Sequence, residues 1–200
     1  MGFIAGILEQ WTSGLDEKSS RIEVFSRIRD IPYAVIEGQL NLKRGPERLI
    51  KEGKGSCTPK HYLLGLMLGS MGIDVNYCTY SFRWNDMSLD YPGILKELGE
   101  VIPVTYHLAC RVLLGGRWVL LDATWDSPLK NAGFPVNTGW DGESDTELAI
   151  TPIDEVTHGN AQDREEYIRA RYGEYSLTDK LQLSRLSLEL NRWLEGIRSV

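Results

Sequence analysis

Residues 106–126 read YHLACRVLLGGRWVLLDATWD. Two runs rich in Val, Leu and aromatic residues flank Gly115-Gly116, and paired glycines accept the positive φ angles of a tight hairpin turn. The stretch predicts antiparallel strands over 104–114 and 117–125. Alternation puts Thr105, His107, Ala109 and Arg111 on one face of the first strand, and Tyr106, Leu108, Cys110 and Val112 on the other. Pairing Leu114 with Arg117 sets Ala109 opposite Asp122 and His107 opposite Thr124. His107 and Asp122 are then diagonal neighbours on one face, about 7 Å apart at Cβ or somewhat less. At that range a carboxylate accepts from one imidazole nitrogen and leaves the other for a nucleophile. A slip of one residue would separate the two, so the geometry depends on register. Taken singly, His107 is equally a structural histidine and Asp122 a strand-end acid. Trp118, on the His107 face, either shields the pair from water or simply packs.

Upstream, GKGSC at 53–57 breaks one helical pattern and opens another, expected from about 57 to 71 and closed by Gly72. Ser56 is the expected cap, and Pro59 is tolerated because first-turn amides have no helical partner. Tyr62, Leu63, Leu64, Leu66, Met67, Leu68 and Met71 leave almost no polar face, so this helix is expected to be buried. Gly65 and Gly69 would let something pack close. Cys57 stands at the helix start, where amides and the macrodipole favour a thiolate and could hold an oxyanion. A lone cysteine there is also a small buried filler. A cysteine at a helix start followed by a same-face His–Asp pair is much harder to obtain by accident.

The rest of the chain frames these segments. SRIE at 20–23 is a capping-box pattern, followed by an apolar helical face at Ile22, Phe25 and Ile28 that Pro32 ends. Pro46 fits the start of a short helix through Glu52. Residues 74–82 are rich in Val, Tyr and Thr and predict a strand, 83–100 look irregular, and 131–151 look like a loop. Charged amphipathic helices are expected near 160–171 and 177–197. Helices, then a small antiparallel sheet, then helices indicate an α+β fold.

Composition narrows the function. The chain has 200 residues, 42% hydrophobic and 25% charged, which is globular and suits a single domain over 1–200. Its 22 Lys+Arg against 28 Asp+Glu give a net charge of −6, which argues against a nucleic-acid partner. Three cysteines make no disulfide framework. The opening MGFIAGILEQWTSG lacks a basic start and a clear cleavage site, and reads as a docked amphipathic helix. No apolar run reaches the roughly 20 residues that cross a bilayer. A cytoplasmic protein with no membrane partner is the simplest expectation.

Together GKGSC at 53–57, MGIDVNYCTYSF at 71–82 and residues 106–126 resemble the transglutaminase-like superfamily of papain-like Cys-His-Asp enzymes. IRDIPYAV at 28–35 is similar to that family's lead-in helix. The likeness covers about 23–126, leaving 127–200 as a C-terminal loop and helices. Leu108 and Asn76 depart from the family pattern, which often has a small residue and an Arg there. The resemblance implies a papain-like core, Cys57 as nucleophile, His107 as general base and acid, and Asp122 as the orienting acid. It implies no cofactor. By analogy Gln39 joins the Cys57 backbone amide as a candidate oxyanion donor, although a surface glutamine fits it as well. Thiol-dependent hydrolysis of an amide or peptide bond is expected. Transfer to an amine, as in a transglutaminase, is the other fate of the thioester, and the lack of an appended domain to recruit a protein amine favours water. Substrates would be a peptide, a protein or a small amide, and oligomeric state stays open. A non-catalytic peptide- or protein-binding module on the same fold is the alternative.

Weaker signals remain. Trp84, Trp125 and Trp140 are candidate walls of a substrate groove, or ordinary rim packing. His61, one turn after Cys57, could begin a zinc site, but a structural site usually needs four ligands and no CxxC appears, so no metal is expected. His158 reads as solvated, Cys78 and Cys110 as inert core thiols, and WDGESDTE at 140–147 as a solvated loop.

Overall fold

In the computed structural model, which describes residues 2–199, the chain runs α1 (Phe3–Thr12), α2 (Glu17–Arg29), α3 (Gly45–Glu52), α4 (Cys57–Ser70) and β1 (Val75–Phe82). It continues through a 3-10 turn at Trp84–Asp86, α5 (Gly93–Val101), β2 (Thr105–Leu114), β3 (Arg117–Leu121) and a second 3-10 segment, Ser127–Ala132. β4 (Asp154–His158), α6 (Ala161–Gly173) and α7 (Leu177–Arg198) complete it. The fold is α+β, with one antiparallel sheet in the order β3-β2-β1-β4.

The hairpin forms in the expected register. Leu114 pairs with Arg117 and Cys110 with Leu121, and Gly115 and Gly116 turn with φ of 56° and 80°. β3 ends at Leu121, four residues earlier than expected, so Asp122 lies just past its end. β2 pairs with β1 on its other edge, with His107 opposite Tyr80 and Ala109 opposite Cys78. Alternation then sends two sets of side chains to two different cores. Leu108, Cys110 and Val112 meet Val24, Phe25, Leu64 and Met67 of α2 and α4. Ala109, Cys78 and Tyr80 meet Trp84, Trp125 and Leu190 on the opposite face.

α4 is buried as its composition requires, apart from exposed Leu66, Gly69 and Ser70. A Cβ on Gly65 would collide with the Tyr77 hydroxyl, so that glycine admits a close neighbour; Gly69 faces open space. α1 places Ile4, Ile7, Leu8 and Trp11 against the α2–α4 core without fully burying any of them.

Several local expectations change. α2 starts at Glu17, with Asp16 accepting from the Ser19 amide at 2.7 Å. Ser20 and Glu23 therefore lie inside the helix, and Glu23 pairs with Arg27 instead of capping. Residues 83–100 hold α5, whose Leu95 and Leu98 are buried in the core that α7 closes. β4 forms from the charged run DEVTH because the open edge of β1 pairs with it, not because of its intrinsic propensity. Its last residue, His158, is buried and meets Thr79 Oγ1 at 3.1 Å, so it is not a solvated loop residue. Trp118 sits beside the hairpin turn, 40% exposed, and covers no catalytic group.

Candidate active site

Cys57 is the first residue of α4, delivered there by Gly53, which ends α3 at a φ of 65°, and by Gly55. Gly55 is hydrogen-bonded into the 32–34 segment: its amide donates to Pro32 O at 3.0 Å, and its carbonyl accepts from Ala34 N at 3.2 Å. Ser56 is the N-cap residue, but its hydroxyl makes no cap bond, so no side chain there claims the first-turn amides. Although its helix belongs to the α2–α4 core, Cys57 itself belongs to the core on the opposite face of the sheet. The nucleophile candidate thus stands at the seam between the two.

His107 lies on the Cys57 side of β2, and its Nε2 is 2.7 Å from Asp122 Oδ2. Cys57 is close enough to His107 that each group shifts the other's ionisation. Asp122 is 1% exposed and fully engaged. Its Oδ2 also accepts from the Ala149 amide at 2.8 Å, and its Oδ1 accepts from the Thr124 amide at 3.1 Å. Burial would raise this carboxyl, but His107 and the hydrogen bonds outweigh it and hold it well below the usual carboxylate range. Burial also works against charge on His107 and on Cys57. The Asp122 carboxylate nevertheless lifts the imidazole above its ordinary value. His107 and the Leu108 amide hold the thiol below its ordinary value. The shifts run toward charge on the thiol and the imidazole, with Asp122 behind them.

His61 has both ring nitrogens engaged in hydrogen bonds. Its Nδ1–H donates to Cys57 O at 2.8 Å, and its Nε2 accepts from the Ala123 amide at 2.9 Å. Both ring nitrogens are therefore used, one as donor and one as acceptor, and the tautomer is set. Burial pulls its titration down to about 4, so it is neutral where it lies 3.6 Å from Asp122 Oδ1. Its role is to fasten the Cys57 turn to the strand end that carries Asp122.

Other residues around the site had not been singled out from the sequence. Lys60 is fully buried, and its Nζ donates to the carbonyls of Arg29, Ile31 and Thr124 at 2.7, 2.9 and 2.7 Å. A lysine inside an otherwise apolar helix was the available signal, since a buried charge needs partners. Asp126 accepts from the Tyr33 amide at 2.8 Å and a two-pronged bond from Arg198, both at 2.7 Å. This ties α7 to the site. Arg164, 2% exposed, donates to the Tyr62 hydroxyl at 3.2 Å and to Thr58 Oγ1 at 3.4 Å, behind the first turn of α4. Spacing alone could not reveal it, because α6 lies a hundred residues downstream.

A cavity of about 110 Å³ opens on Cys57 and His107. Trp84 and Trp125 line it, as expected of groove walls. Trp140 does not: it packs on Phe25 at 5.0 Å in the other core, with its Nε1 donating to Ser144 O. Gln39 is neither a surface residue nor an oxyanion donor. It is fully buried, and its Nε2 donates to Glu52 Oε2 and Lys54 O at 2.8 and 2.9 Å. A larger cleft of about 910 Å³, lined by Thr12, Arg21 and Arg117 among others, lies near the hairpin turn and touches none of these groups.

No family model and no curated protein matches the chain. Among solved structures it is similar to one named a "Putative Cysteine Protease" from Cytophaga hutchinsonii, at 19% identity and a TM-score of 0.47. The match covers 80% of this chain and 43% of that one, so the chain spans less than half the length of the protein it resembles. Among the described residues, no helix is long and apolar enough to cross a membrane.

Proposed function

We propose that the protein is a transglutaminase-like cysteine hydrolase that cleaves an amide or related acyl bond through a thioester on Cys57. The observation that carries this reading is the 2.7 Å His107–Asp122 bond beside a cysteine at the start of a buried helix. Each group has a chemical task. The Cys57 thiolate attacks the carbonyl carbon, and the Cys57 backbone amide at the helix start stabilises the oxyanion. As the tetrahedral intermediate collapses, the C–N bond breaks, and His107 gives its proton to the leaving amine. His107 then takes a proton from water, which attacks the thioester, and the sulfur leaves as thiolate. Asp122 keeps the imidazole oriented and balances its charge throughout. Water is favoured over an amine as acceptor because a cavity of about 110 Å³ admits it most readily.

The test is turnover of a panel of small amides, peptides and esters by the wild-type, Cys57→Ser and His107→Ala proteins. Activity lost in both variants, with folding intact by circular dichroism, is the expected result. Full activity in Cys57→Ser would refute the mechanism. If nothing in the panel is turned over and Cys57 reacts like an ordinary thiol, the cavity is better read as a binding site for a peptide or partner.

A further inference from the structure

The walls of the cavity limit what can reach Cys57. Tyr33, Phe82, Trp84, Trp125 and Tyr172 supply aromatic surface, and Leu183 and Leu186 of α7 line it as well. Beyond His107 and the thiol, the lining side chains are apolar or carry neutral hydroxyls, with no Asp, Glu, Lys or Arg among them. Two of the fixed charges nearby are already engaged: Asp126 is paired with Arg198, and Lys60 is surrounded by three carbonyls. Arg164, whose buried Nε has no partner among the described residues, is held behind α4 by Tyr62 and Thr58 and is not a lining residue. An ionic group entering this space would lose its hydration and find no partner.

One polar atom is held in reserve. Thr124 lines the cavity and is 2% exposed, yet its buried hydroxyl has no hydrogen-bond partner among the described residues. Leaving such a group unsatisfied is costly, and a ligand atom bonded there would recover that cost. The size is also fixed. About 110 Å³ is well below the roughly 300–1,000 Å³ of pockets that hold drug-sized ligands. The α7 wall is held in place, since Asn191 bonds both the N–H and the C=O of Val35, at 2.8 and 2.9 Å.

The geometry points to a small, uncharged acyl group as the donor portion of the substrate, seated against the aromatic walls with one neutral hydrogen bond to Thr124. Leu183 and Leu186 set its maximum length. This rests on the acyl-transfer reading above. In the covalent step, a C–S bond forms as the bond to the leaving group breaks, and the leaving atom takes the electron pair and a proton from His107. Water then replaces sulfur at the carbonyl carbon.

The test is kcat/KM on 4-nitrophenyl esters with neutral acyl groups (acetyl, butyryl, benzoyl, octanoyl) and with ionic ones of similar length (succinyl, glycyl). A Cys57→Ala blank is subtracted. Neutral short acyl groups should exceed the ionic ones by about tenfold or more. Leu186→Ala should raise the octanoyl-to-acetyl ratio by about tenfold, and Thr124→Val should lower kcat/KM while keeping the neutral preference. Cys57-dependent turnover with equal rates for neutral and ionic esters, or with succinyl preferred, would overturn the substrate class alone. Absence of any Cys57-dependent turnover would overturn the acyl-transfer reading and this inference with it. The wild-type panel decides the question even if a variant fails to fold.

Discussion

The two faces of the sheet are built by different rules. On one, α2 and α4 set Val24, Phe25, Leu64 and Met67 against Leu108, Cys110 and Val112, and the material is mostly aliphatic and helical. On the other, loops and α7 bring Trp84, Tyr91, Trp125 and Phe134 together around Leu186, Leu190 and Leu194. The first face is local, periodic packing that holds the fold. The second is assembled from distant segments, is rich in aromatics and contains the cavity. The residues proposed to carry the chemistry sit where the two meet. The tip of α4 crosses from one core to the other, and His107 looks toward the second while its neighbour Leu108 looks toward the first. A rigid face carrying a less regular, functional one is the division of labour expected when precise geometry must be held by packing.

Substitutions can break that contrast, and the largest effect should come at the seam. Asp122→Asn should lower Cys57-dependent turnover by about 10²–10⁴-fold, because the imidazole loses the charge that orients and ionises it. Steady-state kinetics with a thermal melt separates this from unfolding. Leu64→Ala, fully buried on the structural face, should cost about 2–5 kcal/mol in denaturant unfolding and leave the activity of the folded fraction unchanged. If Leu64→Ala lowered kcat in the folded state as strongly as Asp122→Asn, the two faces would not be separable.

Lys60 joins the faces, and its effect shows in pH. Burial pulls its ammonium down to about 7 from 10.5, against the pull of Asp126 and Asp122. Between those values the unfolded chain binds the extra proton, so Lys60 makes stability rise with pH across that window. Lys60→Met should remove this contribution to the slope of unfolding free energy against pH. It should also destabilise by about 1–3 kcal/mol through orphaned carbonyls. A wild-type-like slope in the variant would show that Lys60 stays charged throughout. At the small end, Trp118→Ala at the exposed hairpin tip should stay within about 0.5 kcal/mol of wild type and leave turnover intact. A loss of activity there would restore it as a shield for His107.

Legibility follows the same division. The first face could be read because period and composition dictate it: α4 is apolar all round, and the two-glycine turn sets the register that brings His107 to Asp122. The second face could not, because its residues are placed by contacts across the chain. Outside that face, Gln39 and Trp140 also escaped the pattern, because both lie in segments without periodicity and their neighbours Glu52 and Phe25 decide where they point. β4 takes its strand form from the edge of β1, and α7 takes its place from Asn191 and Arg198. His61 was visible as a Cys57 neighbour, but its partners are backbone groups that no motif announces.

The most direct measurement is the alkylation rate of the protein by iodoacetamide against pH, with the modified cysteine located by peptide mass mapping. Cys78 and Cys110 are buried, and burial raises both thiols, so they provide the internal contrast. The result expected is fast labelling of Cys57 alone, with a plateau extending well below the ordinary thiol value of about 8.5, lost in His107→Ala. Labelling of Cys57 that rises only near pH 8.5, unchanged by removal of His107, would contradict an assembled thiolate–imidazolium pair.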